Sequence, residues 1–182
     1  LMLGDHRYDD RHEDASREAE NEHIRRLRDF AARAEAIDPE TLTGDERISR
    51  DVLLFEATTG AEAEEGRLAE LAVNPAIGTQ AMLPVIVGQF PIETAEHGDA
   101  IVTKYREMGR FLHQAAERLR EGVAAKRTPP DLHVDATLEQ LDAYLGSPLD
   151  TDPMLNVRVP REFDEDAAAA WKDRLKEAIA DG

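Results

Sequence analysis

The chain has 182 residues, with 22 Lys and Arg against 39 Asp and Glu, which gives a formal net charge of −17 at pH 7. A surface this acidic repels phosphate backbones and anionic lipids, so we expect no nucleic-acid partner and no membrane partner. Cysteine is absent, which excludes disulfides, thiolate metal sites and cysteine nucleophiles. No apolar run approaches the ~20 residues of a membrane span. We expect a cytoplasmic protein, with secretion left open because the native N-terminus could be missing.

The opening stretch, residues 3–16, carries ionisable side chains of both signs ahead of any helical period. In an extended conformation they alternate between two sides. One side is an ion-pair ladder of Asp5, Arg7, Asp9 and Arg11. The other side combines imidazole, phenol and carboxylate groups, from His6, Tyr8, Asp10 and His12. Such groups orient substrates or assist proton transfer.

From this stretch we select candidate substrate-binding residues: His6, Arg7, Tyr8, Asp10 and Arg11. The alternative is purely structural, with the arginines clamping the segment to the helices through Arg–carboxylate pairs. Charge clusters are more often structural or solvated than functional, which favours the structural alternative.

Two helices are predicted next. Ser16 is a favourable N-cap for a helix of about residues 16–37, and Asp38-Pro39 ends it. Thr43 and Glu46 have the spacing of a capping box, which predicts the start of a second helix. Gly60 and Gly66 weaken that helix and predict a bend or a frayed patch. Its inner face is expected to carry Ile48, Val52, Phe55 and Thr59.

The segment 76–91 is the most apolar of the chain, but Pro84 and Gly88 interrupt it. This pattern predicts a short buried helix or an irregular turn, with a strand as the alternative. Thr94 then caps the longest helical pattern, residues 95–125, in which Gly109 is the candidate kink.

A helix of about residues 136–145 and a final helix from about residue 164 follow, separated by a proline-rich loop. The final helix carries Trp171, Leu175 and Ile179 on one stripe, which we expect residues after Gly182 to cover, since monomers seldom expose such a patch. The sequence predicts an all-α protein, an irregular helical bundle or array of about five to seven helices with mostly antiparallel neighbours. We expect residues 1–182 to form a single domain, the N-terminal part of a longer chain.

Motifs for catalysis or metal binding are missing. The six histidines do not form the His-Glu-x-x-His spacing of zinc hydrolases. Neither a Gly-x-Ser-x-Gly elbow nor a phosphate-binding glycine loop occurs. His23 lies on the apolar stripe of the first helix, where we expect a hydrogen-bonded, partly buried side chain rather than a metal ligand. We therefore assign no catalytic residue and no metal ligand, and we expect no cofactor in these residues.

The chain resembles a family of large bacterial proteins long catalogued only as a domain of unknown function. The resemblance begins with Leu3-Gly4-Asp5-His6-Arg7-Tyr8-Asp9-Asp10-Arg11, followed by Asp14-Ala15-Ser16. It continues through Ile37-Asp38, Asp51-Val52-Leu53-Leu54, Gln80 with Leu83-Pro84, and Glu121-Gly122 leading into Thr128-Pro129-Pro130.

Members of that family look like zinc-dependent metallopeptidases, with a His-Glu-x-x-Pro-Gly-His-His motif in the C-terminal part of much longer chains. That motif is absent here. The resemblance implies an N-terminal helical lobe that packs against its own C-terminal metal-bearing domain and walls a cleft for a peptide substrate. It implies zinc for the longer protein, whose activity stays open, and no activity for this region alone. The alternative is a non-catalytic helical interaction module that binds a partner through the stripe of the final helix.

Overall fold

The computed structural model describes residues 5–87 and 89–181. Within these ranges it contains seven α-helices and no strand: α1 Arg17–Glu35, α2 Gly44–Glu65, α3 Thr79–Val87, α4 Ala95–Arg106, α5 Met108–Ala124, α6 Asp131–Leu145 and α7 Glu165–Asp181. Short 3-10 turns lie at Pro39–Thr41, Leu68–Leu71, Leu149–Thr151 and Pro153–Leu155. The all-α prediction is confirmed, and the strand alternative for residues 76–91 is wrong. None of the helices so described has both the length and the apolarity needed to cross a bilayer.

The first two helices begin where the sequence predicted, because cap residues satisfy their free backbone N–H groups. Ala19 N donates to Ser16 Oγ at 3.2 Å at the start of α1. Thr43 N donates to Glu46 Oε2 at 2.9 Å at the start of α2, one half of the capping box. These interactions are local, which is why the sequence alone reveals them.

The helical pattern of residues 95–125 is broken at Glu107 into α4 and α5, so the kink predicted at Gly109 is misplaced by two residues. Gly60 does not interrupt α2. A Cβ at Gly60 would lie 3.4 Å from Leu27 Cδ1, so the glycine gives α1 room to approach. The sixth helix begins at Asp131, five residues before its predicted start at 136.

α1 and α2 form an antiparallel hairpin with small side chains at its seam. Ala34 of α1 is 1% exposed, and Ala57 and Ala61 of α2 are 2% and 0% exposed. Near the open end, Arg28 Nη2 donates to Glu65 Oε2 at 2.7 Å. Because alanines occupy the contact, the two backbones approach closely without interlocking larger groups.

The predicted inner face of α2 is wrong, because its large apolar residues point outward. Ile48 and Phe55 are each 63% exposed and Val52 is 54% exposed, while Thr59 is exposed as well. The helical period places this stripe about 180° from the alanines that contact α1. Consequently α2 has two apolar faces, and α1 packs on the one with small side chains.

The main hydrophobic core lies among α3, α4, α7 and the turn Pro153–Leu155. Tyr105 of α4 fixes that turn by donating its hydroxyl hydrogen to the Met154 carbonyl at 2.8 Å. The buried members of this core are Val87, Phe90, Ile92, Ile101, Val102, Tyr105, Met154, Val157, Trp171, Leu175 and Ala178.

The stripe of α7 is covered within the chain, so the prediction that residues after Gly182 cover it is wrong. Trp171 is 1% exposed and Leu175 is 0% exposed. Trp171 Nε1 donates to the Gly98 carbonyl of α4 at 2.9 Å. A Cβ at Gly98 would lie 2.9 Å from Pro160 Cγ, so the contact requires glycine. The interaction-module hypothesis thereby loses the surface on which it was based.

Candidate functional site

The opening segment, residues 5–16, lies along α4 and α5. Successive residues of the segment contact successive turns of α4 and then of α5. The contacting pairs are His6 with His97, Arg11 with Lys104, His12 with Phe111, and Asp14 with Gln114. Lys104 donates to the Arg11 carbonyl, and Arg110 Nη2 donates to the His12 carbonyl at 3.3 Å. Helix side chains therefore hold the main chain of the segment in place.

A turn at residues 7–10 replaces the predicted extended conformation, so the predicted alternation of sides is wrong. His6 Nδ1 lies 2.7 Å from Asp9 Oδ2, although an extended chain would place the two on opposite sides. Arg11 Nε donates to its neighbour Asp10 at 2.8 Å. From the predicted ladder the Asp5–Arg7 pair is present, with Arg7 Nη2 2.6 Å from Asp5 Oδ2.

A small hollow of about 290 Å³ opens between the turn and α4, lined by His6, Arg7, Asp9, Asp10, Glu96, His97 and Ala100. It contains three of the candidate substrate-binding residues. Tyr8 and Arg11 are outside this lining, and Tyr8 is 55% exposed. The structure thus brings His6, Arg7 and Asp10 together, and their role in substrate binding stays a prediction.

Two imidazole rings meet in this hollow. The rings of His6 and His97 stack with their centroids 4.0 Å apart and an interplanar angle of 13°. His97 Nδ1 accepts from Glu93 N at 3.3 Å, while Asp9 engages Nδ1 of His6. In the neutral form His97 therefore carries its proton on Nε2. With both rings neutral, His97 Nε2 can donate a hydrogen bond to a bound group, whereas His6, whose Nδ1 hydrogen faces Asp9, can accept one at Nε2.

Arg7 and Arg11 do not act as the predicted clamps to the helices. The hydrogen bond from Arg7 lowers the pKa of Asp5, and the one from Arg11 lowers the pKa of Asp10. Both partners belong to the opening segment itself. Exposed ion pairs of this kind contribute little to stability.

A clamp of the predicted chemistry occurs further along, in an ionic cluster built around the buried side chains of Glu70 and Arg118. Its other members are Arg17, Glu20, Glu121 and Arg127. Arg118 is 2% exposed, and its Nη1 and Nη2 lie 2.6 Å from Glu121 Oε2 and Glu20 Oε2. Glu70 is 1% exposed and contacts Arg17, whose hydrogen bond lowers the pKa of Glu70. The cluster joins α1, α5 and the turn Leu68–Leu71.

A larger cavity of about 620 Å³ opens between α1, α5, α6 and the turn Leu68–Leu71. This volume falls in the range of small-molecule sites. Residues 13–16 line it at the far end of the opening segment from the hollow. Its walls are mainly apolar and include Ala19, Val73, Phe111, Ala115, Leu119 and Leu141.

Two oxygen atoms of the cavity lining are buried without a hydrogen-bond partner among residues 5–87 and 89–181: Glu64 Oε2 and Thr137 Oγ1. Thr137 is 8% exposed. The other carboxylate oxygen of Glu64 lies 2.5 Å from His23 Nδ1. The hydrogen bond predicted for His23 is thus present, although this side chain is 55% exposed. Buried polar atoms without partners are rare and require an explanation such as a ligand or water.

Sequence reasoning singled out the opening segment but missed the cavity. His23, Glu64, Arg118 and Thr137 come from four different helices. Of these, His23 alone had a sequence pattern that drew attention to it. The others meet only after the helices have packed.

Metal binding has no candidate site in the part of the chain that the structure describes, since no three His, Asp or Glu side chains converge there in an arrangement that could hold an ion.

Neither the curated proteins nor the solved structures include a significant match. A family model described as bacterial protein of unknown function (DUF885) matches residues 1–182. The chain therefore belongs to the bacterial DUF885 family, whose function is unknown.

Proposed function

We propose that this region is the N-terminal helical lobe of a zinc metallopeptidase-like hydrolase. In this proposal it docks on a C-terminal metal-bearing domain of the same protein and walls the cleft for a peptide substrate. The observation that carries the proposal is the second apolar face of α2.

This second face, hereafter the α2 stripe, consists of Ile48, Val52 and Phe55. Each is more than half exposed, while the opposite face of the helix is buried against α1. A helix that is apolar on opposite faces is typical of a position between two layers. Soluble monomers seldom leave a contiguous apolar patch of this kind uncovered. A second domain packed on the α2 stripe would remove the patch from water.

The cavity supports the second part of the proposal. Its apolar walls suit the side chains of a peptide, and polar side chains of the lining, among them His23, Glu64 and Thr137, offer hydrogen-bonding groups. The reaction class comes from the family resemblance described above, which implies a metal motif in the C-terminal part of a much longer chain.

The interaction-module hypothesis would now also have to use the α2 stripe. The two hypotheses differ in chemistry, because only the first requires a metal and peptide cleavage. Zinc analysis of the full-length protein after dialysis, together with a peptide-library digest, separates them. We expect about one or more zinc ions per chain and cleavage that a chelator abolishes. A metal-free protein that cleaves no peptide would contradict the hydrolase proposal and favour the interaction module.

Docking is tested by the double substitution Val52→Asp with Phe55→Asp. Charges placed on an interface are costly to bury, so cleavage should fall by roughly tenfold or more. The control is Leu138→Asp on α6, since Leu138 is 53% exposed against 54% for Val52. This control should cleave normally. Equal activity of both variants would show that the α2 stripe does not dock.

A further inference from the structure

We propose that the cavity between α1, α5 and α6 binds an organic amine, with an apolar body against its walls and an ammonium group on Glu64. Thr137 Oγ1 supplies a further hydrogen-bonding atom in the same cavity. The hydrolase proposal also uses this cavity, but the inference rests on the charges and buried oxygen atoms of the lining rather than on that proposal.

The size and the walls define the body of the ligand. A volume of about 620 Å³ accommodates a molecule larger than an amino-acid side chain. Alanine, valine, leucine and phenylalanine side chains form most of the wall, including Val73, Phe111 and Leu119. An apolar chain or ring gains from transfer into such surroundings.

The charges define the head group. The ionisable side chains of the lining are Glu13, Asp14, Glu20, His23, Glu64 and Arg118. Arg118 is already engaged by Glu20 and Glu121, each at 2.6 Å. Four carboxylates against one arginine leave an acidic cavity when His23 is neutral. Anionic ligands are therefore repelled and cationic ligands attracted.

The two buried oxygen atoms point to the same chemistry. Among residues 5–87 and 89–181, Glu64 Oε2 is a buried acceptor without a partner, while His23 engages the other oxygen of that carboxylate. Thr137 Oγ1 is also without a partner and belongs to a residue that is more than nine-tenths buried. A neutral hydrocarbon would leave both atoms unsatisfied, whereas an ammonium group donates three hydrogens.

The test is a binding titration of the full-length protein with 4-phenylbutylamine, followed by ligand-observed NMR. The matched probes are 4-phenylbutanol and 4-phenylbutyrate, which keep the apolar body and change the head group. We expect the amine to bind roughly tenfold or more tightly than either, because a hydrogen bond to a charged partner is the stronger kind. Comparable binding of the carboxylate would overturn the proposal.

The site is identified by Glu64→Gln, which should abolish the preference for the amine. Glu62→Gln on the same helix is the matched control, since Glu62 is exposed and outside the lining. It should bind as the wild type does. Identical binding by the two variants would place the amine elsewhere and overturn the assignment.

Thr137→Val separates a binding role from a structural one. The variant removes a buried hydroxyl that has no partner, so the ligand-free protein should melt at a slightly higher temperature. Binding of 4-phenylbutylamine should nevertheless weaken by about threefold or more. Thr103→Val, which removes a hydroxyl bonded to the Asp99 carbonyl at 3.1 Å, should leave binding unchanged. A lower melting temperature of Thr137→Val with unchanged affinity would overturn the role of Thr137.

Discussion

His12 illustrates how the fold changes the chemistry of a single side chain. It belongs to the opening segment and packs on α5, with its ring stacked on Phe111 at a centroid distance of 5.0 Å. Burial, with Lys104 and Arg110 nearby, lowers the pKa of His12 to about 4. The folded protein therefore keeps His12 neutral at pH values where the unfolded chain protonates it.

Stability should consequently fall with acidification between about pH 6.5 and pH 4. In this window the unfolded state binds the proton and the folded state does not, so the free energy of unfolding decreases as the pH falls. The loss from His12 is at most about 3 kcal/mol. Urea unfolding from pH 4 to pH 8 should show a shallower dependence for His12→Phe, which retains the ring. If the free energies of unfolding of the wild type and the His12→Phe variant change with pH in parallel, the lowered pKa of His12 is contradicted.

Arg118 and Arg120 both lie on α5 but differ in burial, so substitutions of the two make a matched pair for measuring the effect of burial. Arg118 is 2% exposed with two carboxylate partners, whereas the Arg120 side chain is 65% exposed and pairs with Glu117. Arg118→Met removes a buried partner of Glu20 and Glu121, which then keep their hydrogen bonds to Arg17, and should lower the free energy of unfolding by about 2 kcal/mol. Arg120→Met should lower it by less than about 0.5 kcal/mol. Chemical denaturation of both variants measures the difference, and equal losses would mean that Arg118 is not buried in solution.

Arg7→Lys and Arg11→Lys test the predicted substrate role of the opening segment. Both arginines pair with exposed carboxylates of the segment, so the melting temperature should barely change. A lysine cannot reproduce bidentate binding of a substrate carboxylate. If the segment meets substrate, kcat/KM of the full-length protein should fall by roughly tenfold, or about 1.4 kcal/mol. Unchanged kinetics in both variants would make the segment a scaffold.

At the scale of the elements, local chemistry was readable from the sequence and packing was not. Ser16 and Thr43 mark helix starts because their partners lie within three residues. The period of α2 correctly gave an apolar stripe but not the face that α1 contacts, because both faces are apolar. The cavity could not be predicted for a similar reason, since Glu64 and Thr137 come from helices far apart in the sequence.

The seam of the α1–α2 hairpin should not tolerate larger side chains. Ala61 is 0% exposed, whereas Ala63 lies two residues along the same helix and is exposed. Ala61→Leu forces the helices apart and should cost about 1–3 kcal/mol of stability. Ala63→Leu should be nearly neutral. Thermal unfolding of the two variants measures the difference in stability. An Ala61→Leu protein as stable as the wild type would contradict the packing of the hairpin.

On the scale of the whole molecule, apolar burial is uneven. The large buried side chains gather around α4 and α7, while the seam of the hairpin consists of alanines. The ionic cluster connects α1 to α5 and so ties the hairpin to the rest of the chain. The α2 stripe lies on the face of α2 opposite α1, away from this cluster, and is exposed to water. In the proposed function, this stripe is the surface on which the metal-bearing domain packs.

Oxidative footprinting of the full-length protein tests this docking most directly, because it reports which side chains water reaches. The chain offers matched references of the same residue type: Ile48 is 63% exposed against 73% for Ile77, and Val52 is 54% exposed against 63% for Val123. If the stripe is covered, Ile48 and Val52 should be oxidised roughly fivefold or more slowly than Ile77 and Val123. Equal rates within each pair would show that the stripe faces water in the full-length protein and would contradict the account.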